Sequence, residues 1–485
     1  SIPILMDTSQ LVAEALNFKR TAEVLVIETK KFEIIYRGPI DDRLSYEKER
    51  NVTQNYLTDA LDRHLKGKKP SAKNVENFGC SISYPSLQED QKNPISYSKD
   101  IVPILTKRCI ECHHTDGPAP FAMSDYPTVK GWTKMMKEVL LNRRMPPWPT
   151  DPLVGKFKND MSITDREKQL LVHWIDQGAK NDSNEDALAS YKHHKKEWKL
   201  GKPDIIIEVT KQKIPAEGTL DYVEVIAPLP FKETIWLKAF EITTDNSSTL
   251  HHSLVYLIPN SNDSSISVKS LGKKSGIKFL SSSSIGNSGE SIYRPGSGFK
   301  LDPNFYIQTQ LHFVTTGKEE NSAVRLGLYL HKDRPKKEAH YYFLEKRNFS
   351  IPPHHPNYEV KNVLEIKEDI LIYAIGSHMH LRGKEGRVAV KYPDGKEELI
   401  LSIPFYNFNW QNIFYYNEPL LIPKGSKLIS TSVFDNSSRN RANPDPTKTV
   451  NFGFSTLDEM SISSFIFEYV SDKKEFSPQD FFQND

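Results

Sequence analysis

The chain has 485 residues, 64 basic against 62 acidic, with 38% hydrophobic and 11% aromatic residues. That length exceeds what one hydrophobic core supports, so about three domains are expected. The balanced charge gives no polyanion-binding signature and argues against a nucleic-acid partner. The composition is not that of a disordered chain, and no apolar run approaches the roughly 18 residues of a membrane helix.

Three cysteines, Cys80, Cys109 and Cys112, cannot build a disulfide framework. No basic segment followed by an apolar stretch marks an export signal. The first residues, Ser1-Ile-Pro-Ile-Leu-Met6-Asp7, already read as strand, and we expect an upstream part to be missing.

Residues 1–90 alternate helix and strand patterns. Leu11 to Leu16 reads as a short helix. The β-branched runs Glu23–Ile27 and Phe32–Tyr36 flank a turn at Glu28-Thr-Lys-Lys31, and Val52 to Leu65 has helical spacing. Thr21-Ala22-Glu23-Val24 and Arg37-Gly38-Pro39-Ile40-Asp41-Asp42 resemble segments of the thioredoxin-like redoxin family, implying a partial α/β module. Ala22 stands where that family has its active-site cis-proline, and no Cys-x-x-Cys precedes it, so thiol chemistry is not expected. Cys80 is read as a structural thiol.

Residues 91–185 read as helical. Cys109-Ile-Glu-Cys112-His113 has the spacing of covalent haem attachment, with two thiols one helical turn apart and an adjacent imidazole for the iron. No second cysteine pair exists to complete a zinc site. A helical pattern from Asp125 to Arg144 halts at Met145-Pro146-Pro147-Trp148, and Thr164-Asp-Arg-Glu167 opens a last helix as a capping box. The segment resembles small class I cytochromes c, implying an all-α domain with haem c held by Cys109, Cys112, His113 and an axial methionine. Met145 is favoured for that role because its loop is stiff; Met123 and Met161 compete.

Residues 186–202 are polar and lysine-rich and read as a linker, with His193 and His194 on a solvated spacer. From Pro203 onward the pattern is short β-runs with turn signals, among them Ile205–Val209, Ser253–Leu257, Tyr306–Leu311, Arg387–Lys391 and Leu428–Val433. Two β-sandwiches are expected, at 203–350 and 351–485, divided near Ser350-Ile-Pro-Pro-His-His-Pro356, with loops at the Ser/Asn-rich tracts 259–275 and 281–289.

Histidines concentrate at strand ends in this β-rich half. His251-His252 precedes one strand, His312 ends another, and His378 and His380 close the apolar run Tyr373–Ser377. Residues i and i+2 of an extended strand leave the same face, so His378 and His380 can share a metal ion. Adjacent His251 and His252 diverge on a regular strand and need a local distortion to converge. Met460 follows Asp458-Glu459; a thioether with imidazoles suits a copper that cycles through Cu(I) better than zinc. His340, His354 and His355 are assigned to surface or linker.

This order resembles the copper type II, ascorbate-dependent monooxygenases over residues 203–475. The resemblance implies two jelly-roll domains and two copper ions. His251, His252 and His312 would hold the electron-transfer copper, and His378, His380 and Met460 the copper that binds O2 and hydroxylates. Gly376 and Ser464 stand where the peptide-amidating relative has a carboxylate-anchoring Arg and Tyr, and Arg382 sits in what reads as a turn leaving the site.

The expectation is thus a multidomain chain: a partial α/β thioredoxin-like module, an all-α cytochrome c and two all-β jelly-roll sandwiches. It would be a periplasmic dicopper monooxygenase acting with O2 on an aliphatic C–H of a small molecule, with electrons arriving through the haem from an external reductant or redox partner protein. The alternative is a non-catalytic electron-transfer or copper-handling protein.

Overall fold

In the computed structural model, the apolar run before the His-x-His motif forms the strand Ile370–His378, buried along nearly its whole length. Its residues are apolar without alternation because both faces are covered. Ile372 and Ile375 enter one hydrophobic core, and Tyr373 and Ala374 enter another. A register irregularity between Ile372 and Ala374 divides the strand between them. The structure describes residues 6–45, 48–115, 117–191, 196–260, 277–284 and 289–471. His193 and His194, most of the 259–275 tract and part of the 281–289 tract lie outside them. The chain divides into two units.

The larger unit contains both β-sandwiches. In the first, one sheet orders Lys337–Glu338, Ser297–Leu301, Ile235–Thr244, Glu320–Leu330 and Ile205–Ile214, and the other orders Val223–Pro228, Phe305–Phe313, Leu250–Pro259 and Lys278–Ser284. Leu237, Phe240 and Leu326 face Val255, Leu257 and Leu311 across a common core. The serine-rich stretch read as a loop from 281 is in part the edge strand Lys278–Ser284, in register with Leu250–Pro259.

In the second sandwich, one sheet orders His340–Lys346, Ser461–Tyr469, Ile370–His378 and Ile413–Ile422. Its partner orders Tyr358–Glu365, Lys427–Phe434, Gly383–Lys391 and Glu397–Ile403. The strand His340–Lys346 belongs here through its pairing with the final strand. His340, assigned above to surface or linker, is buried against Phe467 and Tyr469, and burial holds its pKa down at about 3.

Among the described residues no all-α cytochrome c domain is evident. Their helices are short, helix makes up 14% of them, and the structure is mostly β-sheet. Residues 105–129 and 143–162 belong to the unit of the sandwiches, whereas 130–142 and 163–187 belong to the other. The physical reason is visible after Met145-Pro146. Lys158 N–H donates to the Tyr415 carbonyl at 2.7 Å and Asn417 N–H to the Lys156 carbonyl at 2.8 Å, so this segment pairs along the strand Ile413–Ile422. Trp148 and Phe157 pack on Phe414, and Phe157 also on Tyr416, in the second sandwich. A stretch read as a haem-covering loop is instead tied to a β-sheet.

The smaller unit contains the helix Leu11–Ala15, the hairpin Val24–Glu28 with Glu33–Gly38, the helix Tyr56–Leu65 and the capped helix Asp165–Asp176. Thr164 and Glu167 form the expected reciprocal cap. The buried His173 lies between Asp90 at 2.6 Å and Glu14 at 2.9 Å, and Arg166 also pairs with Asp90. Ion pairs of this kind hold their partners in register because breaking one leaves a buried charge. Cys80 is exposed rather than packed as a structural thiol. Among the described residues, no helix is long and apolar enough to cross a membrane.

Candidate metal centres

His251, His252 and His312 converge. Their ligand-capable nitrogens all lie within 4.8 Å of one another, and they form the one such cluster of His, Cys, Asp and Glu among the described residues. His312 pairs directly with His252 across the ladder, and the next pair is Phe313 with Leu250. His251 is therefore the extra residue of a bulge, which re-aims a side chain that a regular strand would send to the opposite face. This is the distortion that adjacent histidines require.

His251 and His252 bring their Nδ1 atoms to 3.1 Å, and the His312 Nδ1 is buried with no hydrogen-bond partner. An orphaned buried nitrogen costs roughly 1–3 kcal/mol, a cost that a ligated ion would remove. Burial lowers all three pKa values, that of His252 to about 3, with repulsion from His312, His251, His378 and His380 adding to the effect. The imidazoles are thus neutral and able to ligate at pH 7. Tyr222, which sequence reasoning missed, lies 4.9 Å from the His312 ring and 5.7 Å from that of His252. Its hydroxyl is 3.5 Å from Thr456 Oγ1, in the loop that precedes Met460.

His378 and His380 bring their rings to 5.1 Å. Each Nδ1 is tied back: that of His378 to Gln411 Oε1 at 2.8 Å, that of His380 to the Asp458 carbonyl at 3.1 Å. Such bonds fix the orientation of the ring and leave Nε2 for a metal. Burial lowers both pKa values, that of His378 to about 3. Met460 is buried just before the strand Ser461–Tyr469. That strand pairs Ser377 with Ser463 and His378 with Ile462, and Met460 lies two residues before Ile462.

Glu459, also missed, organises this corner. Its carboxylate accepts from His380 N–H at 2.9 Å and Arg382 N–H at 2.6 Å, and burial raises its pKa to about 7 against those donors. Arg382 sits within a turn closed by Gly383 N–H to the His380 carbonyl, but its side chain does not leave the site as expected. It is 3% exposed and donates to Asn436 Oδ1 at 3.0 Å and to the Leu457 carbonyl at 2.9 Å. Gly376 is paired with Ser464. A Cβ there would meet Ser464 Oγ at 2.6 Å and Ile413 Cδ1 at 2.9 Å, so this position has no room for a side chain.

The Cys-x-x-Cys-His segment forms a turn, with His113 N–H donating to the Cys109 carbonyl at 2.9 Å. The His113 imidazole is buried, with Nδ1 2.9 Å from the Phe121 carbonyl. Burial raises the pKa of the Cys112 thiol. Lys199 bridges Glu111 at 2.9 Å and Glu290 at 3.6 Å, which links the motif to the first sandwich. Glu290 lines a cavity of about 690 Å³ together with Met161, Tyr293, Tyr373 and Tyr415. Met145 is half-buried and does not line that cavity.

Residues 341–478 match the family model of the copper type II ascorbate-dependent monooxygenase, C-terminal domain. The match supports that family and a copper-dependent oxidoreductase chemistry for this chain, and it contains His378, His380 and Met460. It does not extend to the segments read as redoxin-like or haem-binding. Among solved structures, the chain is similar to the major capsid protein P2 from Bacteriophage PM2, with 10% identity, 55% of this chain and 100% of that chain covered, and a TM-score of 0.25. It is similar also to allantoicase, with 11% identity, coverage of 47% and 83%, and a TM-score of 0.17. Likenesses this weak carry no argument about fold or function.

Proposed function

We propose that the protein is a dicopper monooxygenase that inserts one atom of O2 into an aliphatic C–H of a small molecule. The observation that carries this reading is the presence, in one compact unit, of two neutral histidine clusters, one of them inside the family-matched segment. His251, His252 and His312 would hold one copper through Nδ1, the atoms that the bulge and the orphaned His312 nitrogen bring together. His378, His380 and Met460 would hold the other, the imidazoles through Nε2 because each Nδ1 is engaged. Copper bound in these sites supplies one-electron redox chemistry and activation of O2.

The chain's own contribution is placement. Gln411 and the Asp458 carbonyl set the ring planes, and Glu459 fixes the backbone on both sides of Leu381. The low pKa values keep the imidazoles free of protons. The test is copper content by elemental analysis, followed by O2 consumption with a reductant and a C–H substrate. Two coppers per chain with hydroxylated product support the reading. Two coppers with no O2 uptake across a broad substrate panel would favour copper handling instead.

A second reading concerns electron supply. His113 Nδ1 is engaged by the Phe121 carbonyl, which leaves Nε2 for an iron, and Cys109 and Cys112 flank it at the spacing of covalent haem attachment. Haem c held there supplies a one-electron store. A methionine that would help hold it is Met161, which lines the cavity beside Glu290, or Met145 on the same segment. This reading places the protein in an exported, periplasmic compartment, where haem is attached. Expression with periplasmic haem-maturation machinery should give a haem spectrum that survives denaturation and is lost in Cys112→Ala.

A further inference from the structure

Resting on the copper reading of His378, His380 and Met460, we propose that this site takes a substrate with no anionic group, held by apolar contacts, with Phe408 and Leu457 as specificity-determining residues. Three segments frame the histidine pair: 376–384, 407–411 and 452–460. Their charged side chains are few and most are committed. Arg382 is buried and spent on Asn436 and the Leu457 carbonyl. Lys384 donates to Asn357 Oδ1 at 2.5 Å. Glu459 accepts from the two backbone N–H groups that hold His380 and Arg382. Asp458 packs against the Gly453 backbone and would only repel an anion. The segment 407–411, Asn-Phe-Asn-Trp-Gln, carries no charge.

An anionic group on a substrate entering here would lose water without gaining a free cation from these segments, which is strongly unfavourable; Arg347, beside Phe454, is itself paired with Glu345. Of the apolar side chains here, Phe408 is half-buried against the core of the second sandwich, whereas Leu457 and Phe454 are exposed. The Phe408 ring lies 5.7 Å from that of His380, on the loop whose Gln411 holds His378. Leu457 is 61% exposed, although its own carbonyl is fixed by Arg382 and the next carbonyl holds the His380 ring. Phe454, on the same loop, is steadied by Arg347 at 5.8 Å from its ring. Exposed leucine and phenylalanine on anchored backbone form a preorganised apolar wall beside the reacting centre.

The experiment uses the full chain, loaded with copper and assayed for metal first, and two ligands with one apolar body: 4-phenylbutanamide and 4-phenylbutanoate. Binding is measured by calorimetry. The amide should bind at least tenfold more tightly than the carboxylate, and Leu457→Asp should weaken amide binding at least tenfold while copper content is unchanged. Leu457→Met, which keeps the apolar surface, should restore amide binding. Equal or tighter binding of the carboxylate would overturn the proposal, as would a Leu457→Asp variant indifferent to the change. Failure to take up copper would defeat the metal reading instead, and the charge preference would still be read on the metal-free protein.

Discussion

Gly376→Ala is the most direct probe of the strand that delivers His378. The added methyl would lie 2.6 Å from Ser464 Oγ and 2.9 Å from Ile413 Cδ1, both well inside ordinary contact distance. The Ile413 methyl is the end of a flexible side chain and can rotate away. Ser464 is buried on the paired strand, so it yields less easily. Overpacking of this kind costs roughly 1–3 kcal/mol. Ser464→Ala alone removes a buried hydroxyl, at about 1 kcal/mol or less. In the double variant the clash at Oγ is gone, so the combined loss should fall short of the sum by about 1 kcal/mol, as expected for residues in contact. Urea unfolding of the four proteins measures this, and copper content reports whether His378, two residues along, has moved. Single-variant losses that add to within about 0.4 kcal/mol would refute the reasoning.

Other outcomes follow from the same geometry. His312→Ala should lower copper from two ions per chain to one and leave the His378 site filled; elemental analysis reads this directly. Met460→His should keep copper bound but suppress turnover, because imidazole replaces the soft ligand that favours Cu(I), and full activity would remove Met460 from the site. The metal-free protein should lose stability as pH falls below about 6.5, where the unfolded chain takes up protons that His252 and His378, held at about 3, refuse. At pH 5 that linkage amounts to about 1–2 kcal/mol for each histidine, seen as a falling urea midpoint.

Much of the local structure was legible. The capping box Thr164–Glu167, the hairpin around residues 28–32 and the short β-runs of the C-terminal half were each set by nearest neighbours, and each formed. His378 and His380 were legible because a two-residue spacing at a strand end constrains direction. The need for a distortion at His251-His252 was also legible, and the bulge opposite His312 supplies it. The supports of these ligands were not. Gln411 lies 33 residues from His378, Glu459 lies 79 from His380, and no local pattern announces a hydrogen bond at such separations. Arg382 was misjudged for the same reason: a turn is visible in Leu381-Arg382-Gly383, but its buried partners, Asn436 and Leu457, are elsewhere in the chain.

The cytochrome-like segment shows where periodicity stops being informative. Helical spacing says that one face of a segment must be buried, not against what. The helices at Tyr126–Leu141 and Asp165–Asp176 formed as their patterns required. The stretch between them contains Trp148 and Phe157, aromatic groups that gain by burial wherever an apolar surface is offered. Here the surface is Phe414 and Tyr416 on a sheet edge, and the backbone beside Phe157 also finds unpaired groups on the strand Ile413–Ile422. An edge strand satisfies both needs at once, the backbone hydrogen bonds and the aromatic burial, whereas a loop folded over helices satisfies only the second. The Met-Pro-Pro sequence stiffens the entry to this segment but does not choose its destination. The sheet edge, more than 250 residues away in the chain, does.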